Sequence, residues 1–401
     1  MSNMIRVGID AHKKSCTTCV FADSADKEQV LNSPTSEFVF STTREGIQEF
    51  MEKVPANSTV VIETSTTGKA LSKKLSSKYD IHLVAPSERK PQIKTDRRDA
   101  VRIVKEDMLG YLRRCYVPTE YIEEMRALVG QQIDLGTKIS RVKNQVHSLL
   151  EKNMVQNEFA GLSDLFGVRG LRKLSKITLE SQQDMVELAM YLQELKLYSA
   201  LHRQIETEIA RIADSDKDCQ LLMSHPGISS FTAVAIKARL GDASRFPTKK
   251  HLCSYAGVVP KASNSGEYVS EHAHVKHGDD VLKYALTCAV RGAANASADS
   301  AVKNFYNKQI ERGMDPKKAE VAAARKLACT VWKILTSKCR YVDEDKYLTK
   351  KKIKLTTSRA RRVLINPVEA QNIPQLVESL STYADVLEGY PEDRKKELDL
   401  S

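Results

Sequence analysis

Apolar and polar positions along the chain fall into three regimes. The first holds short runs that alternate or are continuously β-branched: MIRVGID at 4–10, CTTCVFAD at 16–23, EFVFST at 37–42, TVVIET at 59–64 and IHLVAP at 81–86. Such runs, bounded by turn formers, predict strands. TVVIET is apolar almost throughout, which suits a central strand covered on both faces. Between the runs, 43–54 reads as a helix with Ile47, Phe50 and Met51 on one stripe, and 68–79 reads as another. Three strands, a helix, a strand, a helix and a strand predict a mixed α/β domain over residues 1–118.

The second regime is helical. From 122 to 152, and again from 185 to 213, apolar residues recur at steps of three and four: Leu188, Leu192, Leu195, Tyr198, Leu201, Ile205, Ile209 and Ile212. Two long helices with an irregular connector near 155–183 predict an antiparallel hairpin or coiled coil over 119–215. The third regime, 216–340, opens on a Pro-Gly turn, HPGISS, followed by a small-residue helix. A helix over 244–255, a glycine-bearing loop or hairpin over 256–269, and Ala-rich helices over 279–297 and 315–339 complete it. Beyond 341 lie a basic run and an acidic end, PEDRKKELDLS, for which little order is expected.

Composition narrows the function classes. Lys and Arg number 62 against 51 Asp and Glu, a net charge of +11, which favours a polyanionic partner. No apolar run reaches the ~18 residues of a membrane span, and the start lacks a signal-peptide layout; a cytoplasmic protein is expected. Cys16 and Cys19 form a CxxC, but no second pair completes a zinc site. The eight cysteines read as reduced thiols.

The candidate chemistry lies in carboxylates at strand ends. Asp10 closes the first strand and Glu63 the central one; Asp96 and Asp99 start the helix after the fifth. Positions i and i+3 share a helix face, and strand ends collect functional groups in α/β sheets. Four acids in one pocket cannot all ionise without compensation, and carboxylate ligation suits a hard cation, Mg²⁺ or Mn²⁺. The plainer alternative is that Asp96 only caps its helix.

"RVGIDAHKKS", "VVIETSTTG" and "IKTDRRDA" together resemble the N-terminal domain of the DEDD insertion-sequence transposases, a family related to the Piv DNA invertases. The resemblance implies an RNase H-like, RuvC-type fold and Mg²⁺ held by Asp10, Glu63, Asp96 and Asp99. The stretch from "HPGISSFTAV" through "RFPTKKHLCSYAGVVP" to Ser265–Gly266 resembles the C-terminal transposase domain of the same family. It implies Ser265 as a nucleophile that forms a covalent link to a DNA end, with Ser263 as a rival. It further implies donor and target DNA, a bridge RNA as guide, and assembly from dimer to tetramer in a bacterial cytoplasm, at the nucleoid. Lys94, Arg97, Arg98, Lys237, Arg239, Arg245, Lys249 and Lys250 are candidate nucleic-acid contacts, with backbone contacts at Gly227 of the Pro-Gly turn and at Gly266. His272, His274 and His277 read as surface residues near a phosphate.

Three rival readings remain on the residues. A RuvC-like resolvase or nuclease would use water as nucleophile and leave Ser265 structural. An actin-like ATPase or sugar kinase needs glycine-rich phosphate loops, and "DAHKKS" has no glycine. A non-catalytic nucleic-acid-binding protein would tolerate loss of Asp10 or Glu63.

Overall fold

The computed structural model describes residues 5–21, 34–85, 95–112, 114–259, 264–265, 268–269 and 278–362. The acidic end lies outside them. The chain divides into two units, Met1–Glu120 and Tyr121–Ser401. No helix among the described residues is long and apolar enough to cross a membrane.

The first unit is built on strands β1 (Arg6–Ala11), β2 (Ser15–Phe21), β3 (Ser36–Ser41), β4 (Thr59–Glu63) and β5 (Asp80–Val84). They form a five-stranded sheet in the order β3-β2-β1-β4-β5. The first three strands pair antiparallel, whereas β4 lies parallel to β1 and to β5. Helices α1 (Arg44–Lys53), α2 (Thr66–Leu75) and α3 (Asp96–Met108) complete it. Each starts on a hydroxyl cap: Thr43 accepts from Gly46 N, Ser65 from Gly68 N and Thr95 from Arg98 N.

The strand β4 is covered on both faces, as its apolar run predicts. Val60 and Ile62 join Phe40, Phe50, Leu71 and Leu75 in one cluster. Val61 joins Phe21, Ala100, Ile103 and Val104 under α3 in the other. The far end of α3 is pinned by a buried polar knot: His82 Nδ1 lies 2.7 Å from Asp107 Oδ2, and Arg114 Nε donates to Asp107 Oδ1 over 3.2 Å. Burial opposes ionisation of Asp107, but His82 and Arg114 outweigh it and hold the carboxyl below its usual range.

The second unit begins with two long helices, α4 (Glu120–Lys152) and α6 (Gln182–Ser215), linked through a 3₁₀ turn at Gln156–Phe159 and the short α5 (Val168–Leu174). Polar side-chain contacts fix them antiparallel: Gln132 meets His202 over 2.9 Å, and Lys152 donates to Asp184 over 2.7 Å. The rest is a mostly helical cluster: α7 (Lys217–Leu222), α8 (Ser230–Leu240), α9 (Lys249–Tyr255), α10 (Asp280–Asn295), α11 (Ala301–Glu311), α12 (Pro316–Ser337) and α13 (Lys346–Ala360). Its core is lined with Ala233, Ala235, Ala285, Ala289, Ala324 and Ala328, so helices approach closely.

One expectation is corrected here. The single helix over 244–255 is broken into a 3₁₀ turn at Ala243–Arg245 and α9. Pro247 lies between them and has no N–H to continue the helical ladder. Most of the basic run after 341, for which the sequence names no element, lies on α13.

That helix carries Lys352, whose Nζ donates to the carbonyls of Met223, His225 (2.7 Å) and Ile228 (3.1 Å). The carbonyls of His225 and Ile228 belong to the Pro-Gly turn, and Met223 lies just before it. Burial pushes the Lys352 ammonium down to about 8, against the pull of Glu344 and Asp345. Burial, reinforced by Lys352, likewise pushes His225 down to about 3, so its imidazole is neutral.

Replacement Lys352→Met leaves three carbonyls without that donor and is expected to cost about 3 kcal/mol. Urea unfolding followed by the single tryptophan, Trp332, which donates to Phe246 O in the same core, measures it. An unchanged midpoint refutes the clamp.

Candidate metal centre

The site is set by strand register and one close helix crossing. The pairing of Ile9 with Ile62 puts Asp10 beside Glu63 at the carboxyl ends of adjacent parallel strands, which lie about 4.8 Å apart. Gly8 and Asp10 share a face of β1, because strand side chains alternate. On that face α3 crosses so closely that a Cβ on Gly8 would meet Ala100 O at 2.1 Å. The first turn of α3 therefore brings Asp96 and Asp99 over the strand ends. Thr95, and not Asp96, is the N-cap, which removes the plain capping account of Asp96.

The electrostatics show that the acids are gathered. Proton affinity of Asp10 is raised, first by burial and then by Asp96 and Asp99, with His12 opposing. Its neighbours divide between an imidazole and a guanidinium. His12 Nε2 lies 3.2 Å from Asp10 Oδ2 and 3.4 Å from Asp96 Oδ1. Arg102 NH2 lies 2.9 Å from Asp99 Oδ1 and 3.8 Å from Glu63 Oε2. Asp10, His12 and Asp96 offer ligand atoms within 4.8 Å of one another. A half-buried set of carboxylate oxygens that repel one another fits a hard divalent cation.

Both residues escaped the sequence reading. His12 stands two residues after Asp10, in a turn, and Arg102 three after Asp99. The legible signal for Arg102 was helical spacing, since i+3 places it beside Asp99.

The remaining predicted positions separate by what they already touch. Ser265 ends the short strand β6 (Asn264–Ser265), which pairs antiparallel with β7 (Tyr268–Val269) through Ser265 and Tyr268. Lys94, Ser263, Gly266, His272, His274 and His277 lie outside the described residues. Arg98, Lys249 and Lys250 are exposed. Arg97 is exposed too but grips Glu37, with Nε donating over 2.6 and 2.8 Å.

Three basic candidates are tied into the fold instead. Lys237 donates to Asp218 over 2.6 Å, and Arg239 to Asp279 over 2.7 Å. Arg245 donates to Leu240 O over 2.8 Å and lies 4.2 Å over the Phe246 ring. Gly227 is buried against α10, where a Cβ would meet Ala289 O at 2.1 Å. The carbonyls of His225 and Ile228 on either side accept from Lys352. Cys16 and Cys19 are buried free thiols, pushed up to about 11 chiefly by burial, which disfavours the thiolate a metal needs.

Comparison with known proteins gives two family matches. The model described as the transposase IS116/IS110/IS902 family matches residues 219–307. A DEDD transposase model of the IS110 type matches residues 7–155. Among curated relatives, the transposase of insertion sequence element IS1111A from Coxiella burnetii is 25% identical, over 65% of this chain and 72% of its own. An uncharacterised protein of insertion element IS110 from Streptomyces coelicolor is 26% identical, over 61% of this chain and 71% of its own. A pilin gene-inverting protein of Moraxella bovis is 31% identical over 27% of this chain and 33% of its own.

A divalent cation that relieves the carboxylate repulsion should stabilise the first unit by about 1.4 kcal/mol at ten times its Kd. Thermal melts with Mg²⁺ or Mn²⁺ are expected to rise for the unaltered chain and stay flat for Asp10→Asn. They should respond weakly for Gly8→Val, where the added side chain forces α3 off β1. Equal response of all three proteins excludes the site.

Proposed function

The chain belongs to the DEDD insertion-sequence transposases, enzymes of DNA transposition, and we propose that it cuts and rejoins DNA through Ser265. Asp10, Glu63, Asp96 and Asp99 are proposed to hold the divalent ion, Mg²⁺ or Mn²⁺, whose use the family implies. The single observation that carries this reading is the convergence of those four acids at one end of the sheet, around His12 and Arg102.

In this reading each group has a separate task. Arg102 sets its guanidinium against Glu63 and Asp99 and offsets the repulsion between them. Asp10, strained by its neighbours' charge, is the acid with most to gain from a cation. A divalent ion held by Asp10, Glu63, Asp96 and Asp99 would supply Lewis-acid polarisation of a phosphoryl oxygen. Ser265 gives up its proton and its oxygen bonds to phosphorus. One P–O ester bond of the DNA breaks, and the departing DNA hydroxyl takes up a proton. The phosphodiester energy is kept in the serine ester, so the reverse step rejoins strands without ATP.

Substrate grip in this reading falls to exposed cations. Arg98, Lys249 and Lys250 are proposed to meet DNA phosphates, which steer and position without reading sequence. Sequence choice is then delegated to a bridge RNA that pairs with donor and target DNA. The net charge of +11 is compatible with carrying both polyanions. A homo-oligomer, from dimer to tetramer, is part of the same proposal.

Two experiments test it. Denaturing gels of protein incubated with labelled element ends should show a covalent protein–DNA adduct that disappears in Ser265→Ala. Cutting that survives the substitution, without any adduct, would instead assign water as the nucleophile and a hydrolytic resolvase. Protein purified from cells that carry the whole element should retain one specific small RNA encoded beside its gene. Retention of bulk RNA only, with recombination unaffected by ribonuclease, removes the guide.

A further inference from the structure

We propose that His12 is a nitrogen ligand in the carboxylate site, which makes it a mixed nitrogen–oxygen centre that favours Mn²⁺ over Mg²⁺. This rests on the metal reading above and goes beyond the four acids.

The argument starts from the turn. His12 opens the β1–β2 connection, and its N–H donates to Ser15 O over 3.1 Å. The same turn is tied to the end of β3. Thr42 Oγ1 donates to Lys13 O over 2.6 Å, and Thr42 N donates to Lys14 O over 3.1 Å. The backbone that carries the imidazole is therefore held on both sides, and the ring is delivered from a fixed position.

The geometry of Nε2 comes next. It faces two carboxylate oxygens, at 3.2 and 3.4 Å. One ring nitrogen carries at most one hydrogen, so it cannot donate fully to both. With the proton on Nδ1, the Nε2 lone pair would face both anions, a position that a bound cation would fill. Octahedral ligands at about 2.1 Å from a small divalent ion stand about 3 Å apart when adjacent. The two measured separations match adjacent corners of such a polyhedron, and the three donor atoms all lie within 4.8 Å.

Arg102 sets the other side. Its guanidinium sits against Asp99 and Glu63, which leaves Asp10, Asp96 and His12 as the face not bridged by Arg102. Imidazole is a softer donor than carboxylate. It shifts preference away from Mg²⁺ and toward later, more polarisable ions, with Mn²⁺ the nearest that still accepts mostly oxygen ligands.

The test is pulsed electron paramagnetic resonance on the full-length protein loaded with Mn²⁺ alone. Nitrogen-14 modulation from a coordinated imidazole is expected, altered when histidine is labelled with nitrogen-15, and absent in His12→Gln. Titration of Mn²⁺ should show His12→Gln binding at least about tenfold more weakly, the loss that even outer-shell partners of metal ligands cause. The loss for Mg²⁺ should be smaller. Mn²⁺ binding that depends on Asp10 but shows no histidine nitrogen, or keeps it in His12→Gln, overturns ligation by His12 and leaves the acidic site standing. Mn²⁺ binding unaffected by Asp10→Asn overturns both.

Discussion

The contact of Gly8 with Ala100 governs the first unit. A helix that must present two acids over the end of a sheet has to lie almost on the strand backbone, and only a residue without Cβ permits that. At 2.1 Å from a backbone oxygen, even a methyl group would force the whole helix outward. The buried His82–Asp107 knot holds the opposite end of α3 to β5. The helix is thus fixed at a close crossing and at a polar pin. Its first turn inherits that rigidity, which is what a metal centre requires of its ligands.

Much of this was legible before any coordinates. Period-2 runs announced the five strands, and β4 is covered on both faces as its continuous apolar pattern implies. The strand-end acids were legible because register and position in an α/β sheet are strong constraints. His12 was not, since a turn residue has no periodicity to reveal where its ring points. The break falls at Pro247, whose missing N–H ends the turn at Ala243–Arg245 before α9 begins. The helix α13 was hidden: its stripe is weak, and its attachment depends on one buried lysine and polar threonines such as Thr349 and Thr356.

Basic residues proved the hardest to interpret from sequence. A lysine on a helix looks the same whether it meets DNA or a neighbouring carboxylate. Lys237, Arg239 and Arg245 meet Asp218, Asp279 and the Leu240 carbonyl, each at short range. Half-buried charges of this kind hold helices together and are costly to separate. The pairs with Asp218 and Asp279 already cancel within the net charge of +11, whereas Lys249 and Lys250 are exposed.

The clamp of Lys352 on the Pro-Gly turn has a consequence for how the protein is made. Ile228 and its partner are 124 positions apart. At translation speeds of roughly 5–20 residues per second, the turn is synthesised on the order of ten seconds before the lysine that satisfies it. During that interval its carbonyls depend on water. The second unit is thus a late-maturing fold. A ribosome that stalls or terminates before residue 352 would release a chain whose turn never receives its stopper, which gives the cell's proteases a physical basis for sorting fragments from finished molecules.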